Sequence, residues 1–178
     1  TAFVLNCDSG FILSSPLLGP LGLVMGYINR VFADMAYSGR YRPTNKNKYK
    51  GDPTAIIYRS LWERKFMVWC DKNENILEWG SEEIIIPYIS PLDGRMHRYF
   101  PDFYVRARTK TGGTQKFIIE VKPNKQTTPP KQQRRRTKKY ITEIKTYAIN
   151  EAKWKAAVEY CKDRRMTFKI LTEHELQV

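Results

Sequence analysis

Cysteine and histidine are scarce in this chain of 178 residues, which has 3 cysteines and 2 histidines. Cys7, Cys70 and Cys161 lie far apart and show no CxxC spacing, which argues against a cysteine zinc site and against a disulfide scaffold. With only His97 and His174 available, a histidine-rich metal centre is excluded as well. Any metal would have to be held by carboxylate oxygens, and such ligands select hard cations.

Negative charge is also in short supply. The chain has 31 lysines and arginines against 18 aspartates and glutamates, which gives a formal net charge of +13. This excess goes beyond what solubility requires and favours a polyanion as partner, although a merely soluble basic protein remains an alternative. Hydrophobic residues make up 42% of the chain, enough for one domain with a real core.

The first 34 residues differ from the rest, with only three charged residues. The stretch Phe11–Ile28 is mostly apolar but interrupted by proline and glycine, and it lacks the basic start of a signal peptide. It is also too broken for a good membrane span, and we expect no membrane association. We therefore interpret residues 1–34 as a leader or upstream segment and residues 35–178, from Met35 onward, as the functional domain.

The order of helix and strand patterns indicates an α/β fold, a sheet flanked by helices. Residues 40–53 look like an extended basic arm, and Asn150 is a plausible N-cap between two C-terminal helices. The predicted helices are Thr54–Lys72, Lys138–Tyr147 and Glu151–Arg165, and the predicted strands are Ile76–Trp79, Ile84–Ile89, Arg98–Arg106, Lys116–Lys122 and Phe168–Leu171.

Asp102 and Glu120 are acids on two neighbouring predicted strands. Because side chains alternate along a strand, Glu120 and Lys122 share one face, while their neighbours point into an apolar layer. A hairpin centred near Thr111 would set Asp102 directly opposite Glu120. Two carboxylates so placed repel unless a positive group lies between them, and a divalent cation beside Lys122 meets that need.

Glu63 adds a third carboxylate. In the predicted helix it lies among largely apolar side chains such as Phe66 and Met67, where a carboxylate is costly to bury without a partner. Taken alone, a glutamate such as Glu63 is more often an ion-pair partner of an arginine or lysine, and a single acid in a strand is usually solvent-exposed. The combination of four residues is harder to attribute to chance. The candidate catalytic set is Glu63, Asp102, Glu120 and Lys122.

These residue types suit phosphodiester hydrolysis. Carboxylate oxygens hold Mg²⁺, for which Mn²⁺ substitutes, and the ion polarises the phosphoryl oxygen and lowers the pKa of bound water. An ammonium group such as that of Lys122 positions the attacking water and offsets the negative charge that develops. We expect Glu63, Asp102 and Glu120 to be the metal ligands, and no serine or cysteine nucleophile is needed.

The combination of Pro101-Asp102 with Glu120-Val121-Lys122 resembles the PD-(D/E)xK motif of a nuclease superfamily, and Glu63 resembles the acid on its first helix. Longer stretches, such as Trp79-Gly-Ser-Glu-Glu and Ile119-Glu-Val-Lys-Pro, are similar to transposon end-cutting endonucleases. They are closer still to the head-completion nucleases of T-even-type tailed bacteriophages. The resemblance extends from Met35 to about Leu176. It implies a restriction-endonuclease-like core, a mixed central sheet flanked by helices.

The resemblance also implies a Mg²⁺-dependent deoxyribonuclease, acting as endonuclease, exonuclease or both. It would trim or cut packaged double-stranded DNA before head–tail joining, with phage head or neck proteins as partners. Its place would be the virion head or neck, and the host cytoplasm during assembly. Two alternatives remain. A transposon- or restriction-type endonuclease of the superfamily would need a recognition module for which this length has no room. A non-catalytic DNA-binding head protein would not be expected to keep all four residues.

A strongly basic loop precedes the C-terminal helices. Its basic residues are Lys131, Arg134, Arg135, Arg136, Lys138 and Lys139. We expect contacts with DNA phosphates, which release counterions without reading sequence; a solvated basic loop is the alternative. Nothing in the loop resembles a base-reading motif, so we expect little sequence specificity.

Overall fold

The computed structural model describes residues 37–176, and the leader expected at residues 1–34 lies outside them. The described chain contains eight strands: β1 (Gly39–Arg40), β2 (Ile57–Tyr58), β3 (Ile76–Ser81), β4 (Ile86–Ile89), β5 (Met96–Tyr99), β6 (Phe103–Arg108), β7 (Thr114–Val121) and β8 (Met166–Leu171). Its helices are α1 (Leu61–Lys72), α2 (Lys138–Asp163) and α3 (Glu173–Leu176), and 3-10 turns lie at Lys46–Lys48 and Asn124–Gln126. Within residues 37–176, no helix is both long and apolar enough to cross a membrane.

The central sheet has four strands in the order β3-β6-β7-β8. The first two pairings are antiparallel, and β7 and β8 are parallel. A parallel pair needs a long crossover connection, and α2 provides it. The prediction of an α/β fold with a mixed central sheet flanked by helices is confirmed.

Both faces of the sheet are covered. Phe117, Ile119 and Val121 of β7 belong to a core that also contains Phe66 and Met67 of α1. On the opposite face, Ile118 packs with Cys161 of α2, and the two-stranded β4–β5 sheet adds Tyr88 and Tyr99 next to Ala157. The alternation along β7 therefore separates two apolar layers, and Glu120 lies in register with Ile118, on the α2 side.

Helix α1 is shorter than the helix predicted over Thr54–Lys72. It begins at Leu61, where the Ser60 hydroxyl oxygen accepts the N–H of Glu63 at 3.1 Å. The residues before this cap form β2, which pairs with β1. Pairing with a distant segment thus overrides a local pattern that has no helix breaker.

The predicted extended basic arm, residues 40–53, is instead packed on the core. Tyr41 and Tyr49 are buried edge-on against Trp79, with ring centroids 5.9 and 4.8 Å away. The carboxylate of Asp71, itself fully buried, accepts two backbone N–H groups of the segment at 2.7 and 2.9 Å. The two tyrosines and the Asp71 carboxylate hold the segment against the core, and this is why it is not an extended arm despite its basic composition.

Two further predictions of local structure were wrong. The strand predicted over Arg98–Arg106 is two strands, β5 and β6, because Pro101 lies between them and has no N–H for a ladder. The two predicted C-terminal helices are one continuous helix, α2, which contains no glycine or proline. Asn150 is therefore not an N-cap; it is buried in the middle of α2.

Candidate active site

The β6–β7 hairpin has the register expected from a turn centred near its middle. Phe103 pairs with Ile119, and the pairing continues without a shift to the turn. Extended by one residue beyond the start of β6, this register sets Asp102 opposite Glu120. Oδ2 of Asp102 accepts the backbone N–H of Val121 at 2.7 Å, which fixes its carboxylate beside β7.

Glu120 is the most enclosed member of the candidate set, with 3% of its surface exposed. Its Oε1 accepts the ammonium of Lys122 at 3.0 Å. Its Oε2 accepts the hydroxyl of Tyr99 at 2.6 Å. A buried charge is tolerated only when it is paired and hydrogen-bonded. Lys122 and Tyr99 therefore stabilise the buried carboxylate of Glu120 and hold it in one orientation.

The site has more negative than positive charge. Burial and the charge of Glu120 raise the pKa of Asp102, against the opposing effects of Lys122 and the Val121 N–H. Burial lowers the pKa of Lys122, but the charges of Glu120 and Asp102 outweigh this and raise it overall. Lys122 is therefore an ammonium, and one cation serves two adjacent carboxylates.

The donor set fits a hard divalent cation. Asp102 and Glu120 offer only oxygen atoms as ligands. Their two carboxylates are neutralised only in part by Lys122, so a further cation would be attracted to the site. Mg²⁺ in enzymes is commonly bound by one or two carboxylates, with substrate phosphates and water completing its coordination. Within residues 37–176, no group of three or more acidic, histidine or cysteine side chains lies close enough to hold one ion. The three predicted ligands are thus not gathered into one cluster.

Glu63 lies apart from Asp102 and Glu120, because its carboxylate is bound at the start of α1. Its Oε1 accepts the Ser60 hydroxyl at 2.9 Å, and its Oε2 accepts the N–H of Arg59 at 2.8 Å. Together with the Ser60 cap, these bonds make a variant of the capping box. The charge of Glu63 still acts on Asp102 and Lys122, so Glu63 lies at the edge of the site.

Tyr99 is a site residue that the sequence did not predict. Its side chain is buried, and burial together with the Glu120 charge raises the pKa of its hydroxyl far above the usual range. The ammonium of Lys153, on α2, lies 5.5 Å from the centre of its ring. The only signal was its place in the stretch just before Pro101-Asp102.

Glu82 marks the other border of the site. Its backbone is in the left-handed region, with φ 57°, and its N–H donates to the carbonyl oxygen of Asp102 at 3.2 Å. Its carboxylate forms an ion pair with Arg59. A non-glycine residue in this conformation is uncommon and often marks a functional region. These contacts join the end of β3 to the start of α1 around Asp102.

The predicted DNA-contacting residues are all exposed. Four of them lie in the loop before α2, and two are the first residues of α2: Lys131, Arg134, Arg135 and Arg136, then Lys138 and Lys139. Within residues 37–176, none of the six forms an ion pair, so their charges are available to a partner. Their role in DNA binding stays a prediction.

Comparison with known proteins shows the family of this chain. Residues 73–173 match the family described as "TnsA-like endonuclease N terminal". The "Head completion nuclease" of Enterobacteria phage T4 is 44% identical over 147 residues, which cover 80% of this chain and 95% of the relative. The chain belongs to the head completion nucleases, within the TnsA-like endonuclease family. The predicted superfamily and a nuclease function in phage head completion are thereby confirmed. Of the four candidate catalytic residues, Glu63 alone precedes the matched range.

Proposed function

We propose that this head completion nuclease hydrolyses phosphodiester bonds of double-stranded DNA with Mg²⁺ held by Asp102 and Glu120. Mn²⁺ is expected to substitute, and Glu63 contributes a third negative charge at the edge of the site. The observation that carries the proposal is the pairing of a buried Glu120 with Lys122 and Tyr99, next to Asp102. An ordinary ion pair would not need two adjacent carboxylates around one ammonium.

The chain's own groups have separate roles in this proposal. Tyr99 and Lys122 hold the two oxygens of Glu120, and the Val121 N–H holds Asp102, so the carboxylates are oriented before substrate binds. When bound, Mg²⁺ supplies Lewis acidity toward the phosphoryl oxygen and lowers the pKa of bound water. The protonated Lys122 positions the attacking water and offsets charge that develops on the phosphate.

The biological role follows from the charge and from the relative's name. A net charge of +13 and an exposed basic loop support a polyanionic substrate that is contacted mainly through phosphates. We infer little sequence specificity and endonucleolytic or exonucleolytic action, or both. The DNA would be packaged DNA, trimmed or cut before head–tail joining, and the partners would be head or neck proteins of the virion.

Incubation with supercoiled plasmid tests the chemistry. With Mg²⁺ the plasmid is expected to be nicked or linearised, and cleavage should stop with excess chelator and return when Mg²⁺ is added back. Parallel reactions on circular and linear DNA of the same sequence separate endonuclease from exonuclease action. Full cleavage in excess chelator would contradict the metal, and no cleavage under any metal condition would contradict the proposed function.

A further inference from the structure

A cavity of about 610 Å³ lies between the loop that follows β7 and helix α2. This volume is typical of sites that bind small molecules or parts of larger ligands. The catalytic acids do not line it. Its walls combine flat apolar surfaces with a few polar groups: Pro129, Pro130, Tyr147, Lys125, Lys131 and Asn150.

Asn150 is the feature that points to a ligand. It is 7% exposed, lies in the middle of α2 and lines the cavity. Within residues 37–176, its side-chain amide has no hydrogen-bond partner in the protein. Buried polar side chains are normally hydrogen-bonded, so an unpartnered amide facing a cavity is suited to an incoming polar molecule.

The amide of Asn150 has the chemistry to meet a nucleobase. It offers an N–H donor and a carbonyl acceptor side by side, the pattern that pairs with the edge of a base such as adenine. Tyr147, half-buried in the same cavity, provides an aromatic face on which a base can stack. Glu143 also lines the cavity, opposite in charge to Lys125 and Lys131.

The cavity lies close to the candidate active site along the chain. Lys125 follows Lys122 by three residues, and three residues of extended chain span at most about 11 Å. The lysines at the cavity can neutralise phosphates of a strand that passes from the active site toward the basic loop. A strand cut at Lys122 would thus reach the cavity within a few nucleotides.

We propose that this cavity binds one unpaired nucleobase of the DNA strand that is held at the active site. Asn150 hydrogen-bonds to the edge of the base, Tyr147 stacks on its face, and Lys125 and Lys131 contact the flanking phosphates. The inference rests on the proposed function, because it places the base on the nuclease's own substrate. It predicts that the enzyme binds frayed or extended DNA ends more tightly than blunt ones.

Fluorescence anisotropy with the full chain in chelator, where cleavage is blocked, tests this directly. The probes are a duplex with a three-nucleotide single-stranded extension and the same duplex with abasic residues in the extension, each with 5′ and 3′ polarity. The abasic probe keeps every phosphate and lacks only the bases. We expect wild-type protein to bind the base-containing extension on the order of tenfold more tightly, for at least one polarity.

Two cavity variants and one control complete the design. Asn150→Leu and Tyr147→Ala should bring the ratio of the two Kd values to about one. Tyr140→Ala, a tyrosine of α2 outside the cavity lining, should keep the wild-type ratio. Asn150→Leu should also leave Tm unchanged or raise it, because the substitution breaks no hydrogen bond within the described part of the protein.

The outcomes separate the two proposals. A wild-type ratio of one means that only phosphates are bound, and it overturns the inference whether or not the protein cuts DNA. A normal ratio in Asn150→Leu also overturns it at any Tm, and a lowered Tm in the same variant would assign the amide a purely structural role. Absence of Mg²⁺-dependent plasmid cleavage by wild-type protein overturns the proposed function instead.

Discussion

Tyr99 donates a hydrogen bond to Oε2 of Glu120 across 2.6 Å and so ties β5 to β7. The ammonium of Lys122 lies 3.0 Å from Oε1, so both oxygens of this buried carboxylate have a partner. The partner that orients a metal ligand commonly matters almost as much as the ligand itself. The β4–β5 sheet therefore supports the proposed active site and also covers the core.

Replacing Tyr99 with phenylalanine removes one hydroxyl and keeps the ring. We expect cleavage, or the affinity for Mg²⁺, to fall by about 10- to 100-fold, the usual cost of removing a hydrogen bond to a ligand. Cleavage rates measured across a range of Mg²⁺ concentrations check this. Tyr88→Phe is the matched control, since Tyr88 is a buried tyrosine of the same two-stranded sheet. A wild-type Mg²⁺ dependence in Tyr99→Phe would argue against the positioning role.

Lys122→Ala should reduce cleavage by about 100-fold or more, because a charge-stabilising donor at the reacting phosphate is absent. Removal of the ammonium also leaves Glu120 with one partner fewer. Single-turnover cleavage of labelled duplex measures the effect. Lys116→Ala changes an exposed lysine of the same strand, far from Glu120, and should cut normally. Equal rates for the two variants would remove Lys122 from the mechanism.

Glu63 can be tested for two roles at once. Glutamine also serves at this position of a capping box, so Glu63→Gln should keep the thermal stability of wild type. Glu63→Ala should be less stable by about 1 kcal/mol, as is typical when a helix cap is removed. If the Glu63 charge contributes to the metal site, Glu63→Gln should cut more slowly at low Mg²⁺ despite its normal Tm. Normal cleavage by Glu63→Gln would leave Glu63 with the capping role only.

Neutralising Arg134, Arg135 and Arg136 to glutamine should weaken DNA binding equally for unrelated sequences. The slope of log K against log salt should flatten by about 0.9 for each DNA phosphate that the loop no longer neutralises. Titrations of two unrelated duplexes at several salt concentrations measure both effects. Neutralising Arg108, Lys110 and Lys116, around the β6–β7 turn, removes the same charge elsewhere. If both triple variants flattened the slope equally, binding would reflect overall charge and not the loop.

Much of the site could be predicted from sequence, because it depends on local rules. A short hairpin fixes its own register, and strand alternation then places Asp102, Glu120 and Lys122 relative to one another. The bond between Glu63 and the start of α1 could not be predicted in the same way. It required the true helix start at Leu61, which depends on the pairing of β1 with β2.

The parts that sequence did not predict depend on contacts between distant segments. Tyr99 meets Glu120 only because the β4–β5 sheet packs on α2 and on Phe168 of β8, on the side of the central sheet that carries Glu120. The residue type of Asn150 suggests a helix cap, but the surrounding stretch of α2 has no breaker and continues as one helix. The cavity beside it is formed by two segments whose proximity no local pattern indicates.

The most direct measurement for the active-site assignment is plasmid cleavage by Asp102→Asn in Mg²⁺, beside DNA binding by the same protein. Asparagine keeps the shape of the side chain and removes the charge that would hold the metal. We predict that cleavage is abolished while DNA binding remains, and that Asp163→Asn, which changes an exposed acid of α2, cuts normally. Cleavage by Asp102→Asn at the wild-type rate would contradict the hairpin-based site and the metal chemistry built on it.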